Sequence, residues 1–216
     1  FSRLPLNTFG GLALSPDGKK IALTAHGEIW AASAKDGGEA ARVTRTGPAE
    51  SSIAWAPDSK RIVYLSERSG HTNLFLYDFA TQTEKQLTRD ARNDAAPRFS
   101  PDGKQLAFIR DRMELRTLTI ESGEEKLLHS ASMFGAVSWS PDGQWIAFAP
   151  YGDKTFRNIN VVSATAPARP ISFLANAQSN NPIWSPDGKF LLFSTTQRTE
   201  DTQVARIELI PRAPKF

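Results

Sequence analysis

Ser15-Pro16-Asp17-Gly18-Lys19 is the stretch that decides the fold, because the same five-residue pattern, which we call the anchor, returns four more times. The later copies are residues 56–60, 100–104, 140–144 and 185–189, and successive anchor prolines stand 40 to 45 residues apart. A repeat of this length, with short apolar runs around each copy, is typical of a β-propeller, in which every repeat forms one four-stranded blade. The sequence therefore predicts an all-β propeller of five four-stranded blades, either complete or part of a larger propeller.

Each of the first four repeats divides into four short runs that are typical of strands, and we name them a, b, c and d in chain order. In the second repeat they are residues 53–55, 61–66, 73–79 and 84–88, all rich in β-branched or aromatic residues and bounded by turn residues. We expect one domain over residues 1–216. Its predicted blades cover approximately residues 9–46, 50–90, 95–130, 134–174 and 180–210.

The fifth repeat lacks a clear strand d, whereas residues 3–6 (Arg-Leu-Pro-Leu) precede the first strand a, where a strand d would lie. Two explanations stay open. Residues 3–6 either complete the fifth blade and close the ring, which would remove exposed sheet edges, or belong to a preceding blade of a longer protein. Residue 1 is Phe and no charged-then-apolar leader follows, so we expect a mature form or an excised segment.

The anchor has the composition of a tight turn between strands a and b. Proline presets φ at the second position, aspartate hydrogen-bonds its own backbone, and glycine accepts a left-handed conformation. The aspartates are therefore expected to form turns, rather than to bind calcium, because no second carboxylate lies two residues away; they are Asp17, Asp58, Asp102, Asp142 and Asp187. Ser59 replaces the glycine in the second anchor, at an expected cost of about 1 kcal/mol.

A large apolar residue precedes every anchor, and we expect it to fill the space between neighbouring blades. These residues are Leu14, Trp55, Phe99, Trp139 and Trp184. One position earlier, on the other face of strand a, the side chains are mostly small and are expected to line a narrow central channel. They are Ala13, Ala54, Arg98, Ser138 and Ile183.

Composition excludes several classes of function. The chain has no cysteine, so thiolate catalysis, zinc–thiolate sites and disulfides are impossible. Its net charge of +3 comes from 26 basic and 23 acidic residues that are interspersed, which argues against a nucleic-acid partner. No apolar stretch approaches the ~18 residues of a membrane span, so we expect no membrane insertion.

Candidate functional residues cluster where a propeller presents its b–c turns and d–a connections. The binding candidates at this rim and in the channel are His26, His71, Arg92, Asp94, Arg98, His129 and Asn180. Polar loops over a propeller mouth are a usual place to bind a peptide or a protein partner. The histidines lack carboxylates at ligand spacing, and neither a Gly-x-Ser-x-Gly motif nor a phosphate-binding glycine loop is present, so we expect no metal, no cofactor and no catalytic residue.

The pattern at residues 139–148, with variations at 99–108 and 184–193, resembles the propeller repeats of the TolB family and of tricorn-type peptidases. Residues 25–30 and 34–39, together with the stretch from Phe193 to Phe216, look most like the propeller part of a bacterial tricorn-like serine peptidase. That resemblance implies an accessory domain that admits, filters or docks polypeptide substrates, with a peptidase domain elsewhere in the same parent chain. The alternative is a stand-alone TolB-like scaffold for envelope proteins; a metal-dependent propeller lyase is a more distant one. A periplasmic or secreted location is favoured over a cytoplasmic one.

Overall fold

Residues 9–151, 156–175, 177–196 and 201–210 are described by a computed structural model, in which every regular element is a β-strand. Each of the five antiparallel sheets is built from consecutive strands, which confirms the predicted all-β propeller with five blades. Four sheets have four strands, and the fifth has three among the described residues. No helix in these ranges is long and apolar enough to cross a membrane.

The strand boundaries follow the repeat closely. Blade 1 contains β1 (Phe9–Leu14), β2 (Lys20–Ala25), β3 (Glu28–Ser33) and β4 (Ala41–Arg42). Blade 2 contains β5 (Glu50–Trp55), β6 (Arg61–Ser66), β7 (Asn73–Asp78) and β8 (Thr83–Gln86). Blade 3 contains β9 (Asp94–Phe99), β10 (Gln105–Arg110), β11 (Glu114–Thr119) and β12 (Glu125–Ser130). Blade 4 contains β13 (Phe134–Trp139), β14 (Trp145–Pro150), β15 (Asn160–Ser163) and β16 (Arg169–Pro170). Blade 5 contains β17 (Asn180–Trp184), β18 (Phe190–Thr195) and β19 (Gln203–Glu208).

Hydrogen bonds within each anchor explain why it makes a tight hairpin. In the first one, Ser15 Oγ donates to Asp17 Oδ1 at 2.6 Å, and the same oxygen accepts the backbone N–H of Lys19 at 3.0 Å. The backbone N–H of Gly18 donates to the Ser15 carbonyl at 2.8 Å, with the glycine at φ 69°. Asp58, Asp102, Asp142 and Asp187 each accept the backbone N–H two residues on in the same way.

Ser59 takes the left-handed conformation that the other anchors assign to glycine, with φ 57°. Its side chain also joins two blades, because Ser59 Oγ accepts the backbone N–H of Asp17 at 3.1 Å. This bond offsets part of the backbone strain that a non-glycine residue carries in this region.

Successive blades pack through their inner strands, β1 against β5, β5 against β9, β9 against β13 and β13 against β17. The tryptophans before the anchors face the preceding blade. Trp55 Nε1 donates to the Ala13 carbonyl at 3.0 Å, and Trp184 Nε1 to the Ser138 carbonyl at 3.0 Å. Trp139 makes the equivalent bond to the Arg98 carbonyl at 3.1 Å. Each indole therefore fixes its blade to the strand a before it.

Two packing expectations are corrected. Leu14 is 60% exposed rather than wedged between blades, because no described residue covers the face of blade 1 to which it belongs. The small residues one position earlier do not simply line a channel, because Ala13 and Ala54 pack into the cores that join their blades to the next ones. Successive side chains of a strand alternate between the two faces of its sheet, and in a propeller both faces meet a neighbouring blade.

The two ends of the row of blades expose apolar side chains. Leu14 lies on the outer face of blade 1, and Ile183, which is 62% exposed, lies on the outer face of blade 5. In a closed five-bladed ring these faces would meet, so the described blades form an open arc. Residues 3–6, the proposed fourth strand of blade 5, lie outside the described residues.

The propeller has two ends with different chemistry. The anchors make one, which we call the anchor face. The b–c turns and the starts of the inner strands make the opposite end, which we call the rim. Backbone hydrogen bonds join the start of an inner strand to the b–c turn of the preceding blade: Glu50 N–H donates to the Gly27 carbonyl, and Asp94 N–H donates to the Thr72 carbonyl, both at 2.8 Å.

Candidate functional site

His26 and His71 lie in the b–c turns of blades 1 and 2, and both are exposed on the rim. His26 has φ 53° and is followed by Gly27 at φ 78°, so the two residues form a left-handed turn that connects β2 and β3. These two histidines are accessible to a partner.

Asp94 is buried, and its carboxylate serves an ion-pair network rather than the rim surface. Arg110, only 2% exposed, donates to Asp94 Oδ1 through Nε at 2.7 Å, and through Nη1 to Glu125 at 2.8 Å and to Asp90 at 3.0 Å. Burial disfavours the guanidinium charge, but the hydrogen bonds to Asp94 and Glu125 more than offset it and raise the pKa of Arg110. Burial raises the pKa of Asp94, although hydrogen bonds from Arg110 and Thr88 lower it. The network joins strands a, b and d of blade 3.

Arg92 lies above this network and is itself paired. It donates to Asp90 Oδ2 at 3.1 Å and to Glu114 Oε1 at 2.9 Å, with its side chain still 39% exposed. Arg92 therefore combines a structural role with partial access from the rim.

The remaining three candidates occupy different environments. His129 is half-buried, with its ring 5.4 Å from Phe148, and burial lowers the pKa of its imidazole. Arg98 is exposed towards the anchor end of β9 and donates to the neighbouring Pro97 carbonyl at 2.9 Å. Asn180 bridges two blades, since its Oδ1 accepts the backbone N–H of Ala136 at 3.4 Å. The structure thus brings His26, His71 and Arg92 to one accessible rim and gives His129 and Asn180 packing roles.

Sequence reasoning missed an apolar patch on the rim of blades 3 and 4, which we call the Met–Phe patch. We give this name to three exposed apolar residues of the rim turns, Met113, Met133 and Phe156, which are 50%, 36% and 39% exposed. Backbone hydrogen bonds connect the segments of the two methionines, from Ala131 N–H to the Met113 carbonyl and from Tyr151 N–H to the Met133 carbonyl, both at 2.9 Å. One signal was present in the sequence: these are the only two methionines of the chain, and both adjoin predicted turns.

The turn that presents Met113 is strained. Asp111 and Arg112 have φ 51° and 63°, a left-handed conformation that favours glycine. Residues held in such conformations concentrate at functional sites, where the surrounding structure compensates for the strain. Arg112 is also exposed, which places a cation beside the patch.

A second buried carboxylate lies at the rim between blades 1 and 2. Glu50 Oε1 accepts from Thr46 Oγ1 and from Arg68 Nη2, the latter at 3.1 Å, while Glu50 Oε2 has no partner among the described residues. Burial raises the pKa of Glu50 above its ordinary value, although Thr46 and Arg68 lower it. In the described part of the chain no three His, Asp or Glu side chains are grouped as metal ligands would be.

Comparison with known proteins agrees with this architecture. The family model described as the TolB beta propeller domain matches residues 8–187. The Tol-Pal system protein TolB of Francisella tularensis subsp. holarctica (strain OSU18) is 29% identical over 166 residues, which cover 73% of this chain and 38% of that protein. The chain therefore spans well under half the length of the curated TolB relatives that it matches.

Two further similarities concern peptidases. The uncharacterized peptidase YuxL of Bacillus subtilis (strain 168) is 34% identical over 104 residues, which cover 43% of this chain and 16% of that protein. The crystal structure of the tricorn protease superposes with a TM-score of 0.77 at 17% identity, covering 96% of this chain and 22% of the other. At that identity the second similarity concerns the fold alone. Since the family model covers most of its residues, this chain belongs to the TolB beta-propeller domain family.

Proposed function

We propose that this chain is a non-catalytic propeller domain that binds a polypeptide substrate or protein partner through its rim, with the Met–Phe patch as the main contact. The observation that carries this proposal is the exposure of Met113, Met133 and Phe156 at one end of the molecule. Large apolar side chains grouped on a polar surface mark interaction sites, and methionine adapts its shape to different partners.

Charged and aromatic groups beside the patch support a polypeptide ligand. Arg112 is exposed next to Met113, and the Arg157 guanidinium lies 4.2 Å from the centre of the Tyr151 ring. Arginine and aromatic residues are enriched in protein interfaces, where they combine apolar contact with hydrogen bonding. His26, His71 and Arg92 extend the same rim over blades 1 to 3.

Two parent contexts fit this function. The match to YuxL supports an accessory domain that docks or filters substrate for a peptidase domain in the same parent chain. The match to TolB supports a stand-alone scaffold for envelope proteins, and with it a periplasmic or secreted location. Sequencing the reading frame downstream of the codon for Phe216 separates them, since the first context requires a peptidase sequence there and the second does not.

The binding function is tested with a permanently unfolded polypeptide, fluorescently labelled reduced and carboxymethylated lysozyme, by fluorescence anisotropy. The double variant Met113→Glu/Met133→Glu is expected to weaken binding by roughly tenfold or more, because it places charge in the apolar contact. Leu127→Glu is the matched control, since Leu127 is similarly exposed at 46% but lies on the outer strand β12. Equal weakening by the control, or no binding by the wild type, would contradict the proposal.

A further inference from the structure

The residue directly after each anchor determines whether the groove between neighbouring blades is filled on the anchor face. In blade 1 this residue is Lys20, whose Nζ donates to the Ser59 carbonyl of blade 2 at 2.9 Å. In blade 2 it is Arg61, whose Nη2 donates to the Gly103 carbonyl of blade 3 at 3.2 Å. A long cationic side chain therefore bridges each of the first two grooves.

Blades 3 and 4 carry different residues at this position, and their grooves are open. Gln105 lines a cavity of about 390 Å³ between blades 3 and 4. Trp145 lines a cavity of about 600 Å³ between blades 4 and 5. We call this larger cavity the blade 4–5 groove; it lies on the anchor face, at the opposite end of the propeller from the Met–Phe patch.

The walls of the blade 4–5 groove are apolar and aromatic. Trp145, Ile171, Trp184 and Leu209 line it, and each packs against the core between blades 4 and 5 while remaining half-buried. The Trp184 indole N–H is already used, by the Ser138 carbonyl. The Trp145 indole N–H has no acceptor among the described residues, so a bound ligand can accept a hydrogen bond from it.

Opposite charges stand at the two ends of the groove. At the inner end, Asp142 uses Oδ1 for the Gln144 backbone N–H, while its Oδ2 is not hydrogen-bonded within the described ranges. Asp187 stands across from it in the next anchor and already pairs with the exposed Lys189, whose Nζ lies 3.2 Å from Asp187 Oδ2. Hydrogen bonds from Ser185 and Lys189 lower the pKa of Asp187 to about 2, so it is ionised at neutral pH.

At the outer end, Arg169 belongs to the edge strand β16, and its guanidinium lies 5.4 Å from the centre of the Trp145 ring. No described carboxylate is within ion-pair distance of it. An unpaired cation and two ionised aspartates thus flank the same apolar walls.

We propose that the blade 4–5 groove binds an extended segment of a polypeptide, with an aromatic or branched apolar side chain seated against Trp145 and Trp184. A lysine or arginine of the segment pairs with Asp142 and Asp187, and a glutamate or aspartate pairs with Arg169. Charge complementarity at both ends and an apolar centre select this ligand over a uniformly charged one. This site is distinct from the rim proposed above and does not depend on it.

The test uses blocked tripeptides and the indole N–H signals of the five tryptophans in ¹⁵N-labelled protein. Acetyl-Lys-Phe-Glu-amide and its reversed sequence are titrated, and the stronger ligand is expected to shift the Trp145 and Trp184 signals saturably while leaving those of Trp30 and Trp55 unchanged. Replacing Phe by Ser, or Lys and Glu by Gln, is expected to weaken binding by roughly tenfold or more. An uncharged peptide that binds equally well would overturn the assigned ligand class.

Variants locate the site. Trp145→Lys reproduces the residue of blade 1 at this position and is expected to fill the groove and abolish binding, and Arg169→Gln is expected to weaken it severalfold. Leu127→Glu, on the exposed outer strand β12 and outside both proposed sites, is the control expected to bind as the wild type does. If Trp145→Lys does not fold, the titration of Arg169→Gln and the shifts of the Trp145 and Trp184 indole signals in the wild type still test the proposal. The absence of any Trp145 or Trp184 shift, or binding that is unchanged in Arg169→Gln and in folded Trp145→Lys, would overturn the proposal.

Discussion

His129 shows how the surroundings of one residue change the role that a sequence suggests for it. It stands at the rim end of β12, as predicted, but its ring lies 6.1 Å from that of Phe134 and 5.4 Å from that of Phe148. An aromatic setting of this kind disfavours the imidazolium, because the charged form loses hydration without gaining a carboxylate partner. His129 is therefore a packing residue whose protonation is unfavourable in the folded chain.

Stability is expected to depend on pH through His129. Burial lowers the folded-state pKa below the ordinary value of 6.5, so between these two values the unfolded chain binds more protons than the folded chain. The contribution of the neutral ring to the free energy of unfolding is complete above pH 6.5 and is lost as the pH falls through the folded-state pKa. Urea unfolding at about pH 7.5 and about pH 5.5 should show a smaller pH-dependent loss in His129→Gln than in the wild type.

His71→Gln provides the control for this measurement, because His71 is exposed on the same rim. It should retain the wild-type pH dependence. The same pH dependence in His129→Gln and in the wild type would show that another group is responsible.

The residues before the anchors make a second matched pair. Trp139 packs against the core between blades 3 and 4 and donates its indole N–H to the Arg98 carbonyl, whereas Leu14 is largely exposed. Trp139→Ala should lower the free energy of unfolding by about 3 kcal/mol, the low end for an aromatic truncation because the ring is partly exposed. Leu14→Ala should change it by less than about 0.5 kcal/mol. Comparable losses in the two variants, measured by urea unfolding, would contradict the observed packing.

At the scale of the element, strand b of blade 3 ends in a buried charge that no hydrophobic pattern predicts. Arg110 follows an apolar run in β10 and is held by Asp94, Asp90 and Glu125 from three other segments. Removal of one member of a buried ion-pair network leaves uncompensated charge in a poorly hydrated place. The network therefore makes the local stability of blade 3 depend on the full set of partners.

Arg110→Met is expected to lower the free energy of unfolding by about 3 to 5 kcal/mol, since Asp94 is left buried without its partner. Arg92→Met should cost much less than Arg110→Met, because Arg92 is partly exposed and water screens its ion pairs. Both are measured by urea unfolding near neutral pH. A small effect of Arg110→Met would mean that water reaches Asp94 in solution.

At the scale of the whole molecule, local spacing predicted the five sheets, and the anchors lie where the repeat places them. A proline, an aspartate and a glycine in consecutive positions determine a hairpin by short-range sterics and hydrogen bonds, without reference to the rest of the chain. The exposure of Leu14 was not predictable in this way, because it depends on which face has a neighbouring blade. The Met–Phe patch and the blade 4–5 groove were missed for a related reason, since methionine and tryptophan next to strands suggest core in a single sequence.

The indole-to-carbonyl bond between inner strands has a consequence for how such molecules change over evolutionary time. At three junctions the donor comes from the later repeat and the acceptor is a main-chain oxygen of the earlier one. A main-chain carbonyl is present whatever the side chain at that position. A newly duplicated repeat therefore already carries both the tryptophan donor for the preceding blade and the carbonyl acceptor for the following one. Duplication or deletion of a repeat can therefore change the number of blades without requiring a new kind of interface. Propellers with different blade numbers can then evolve from one ancestral repeat.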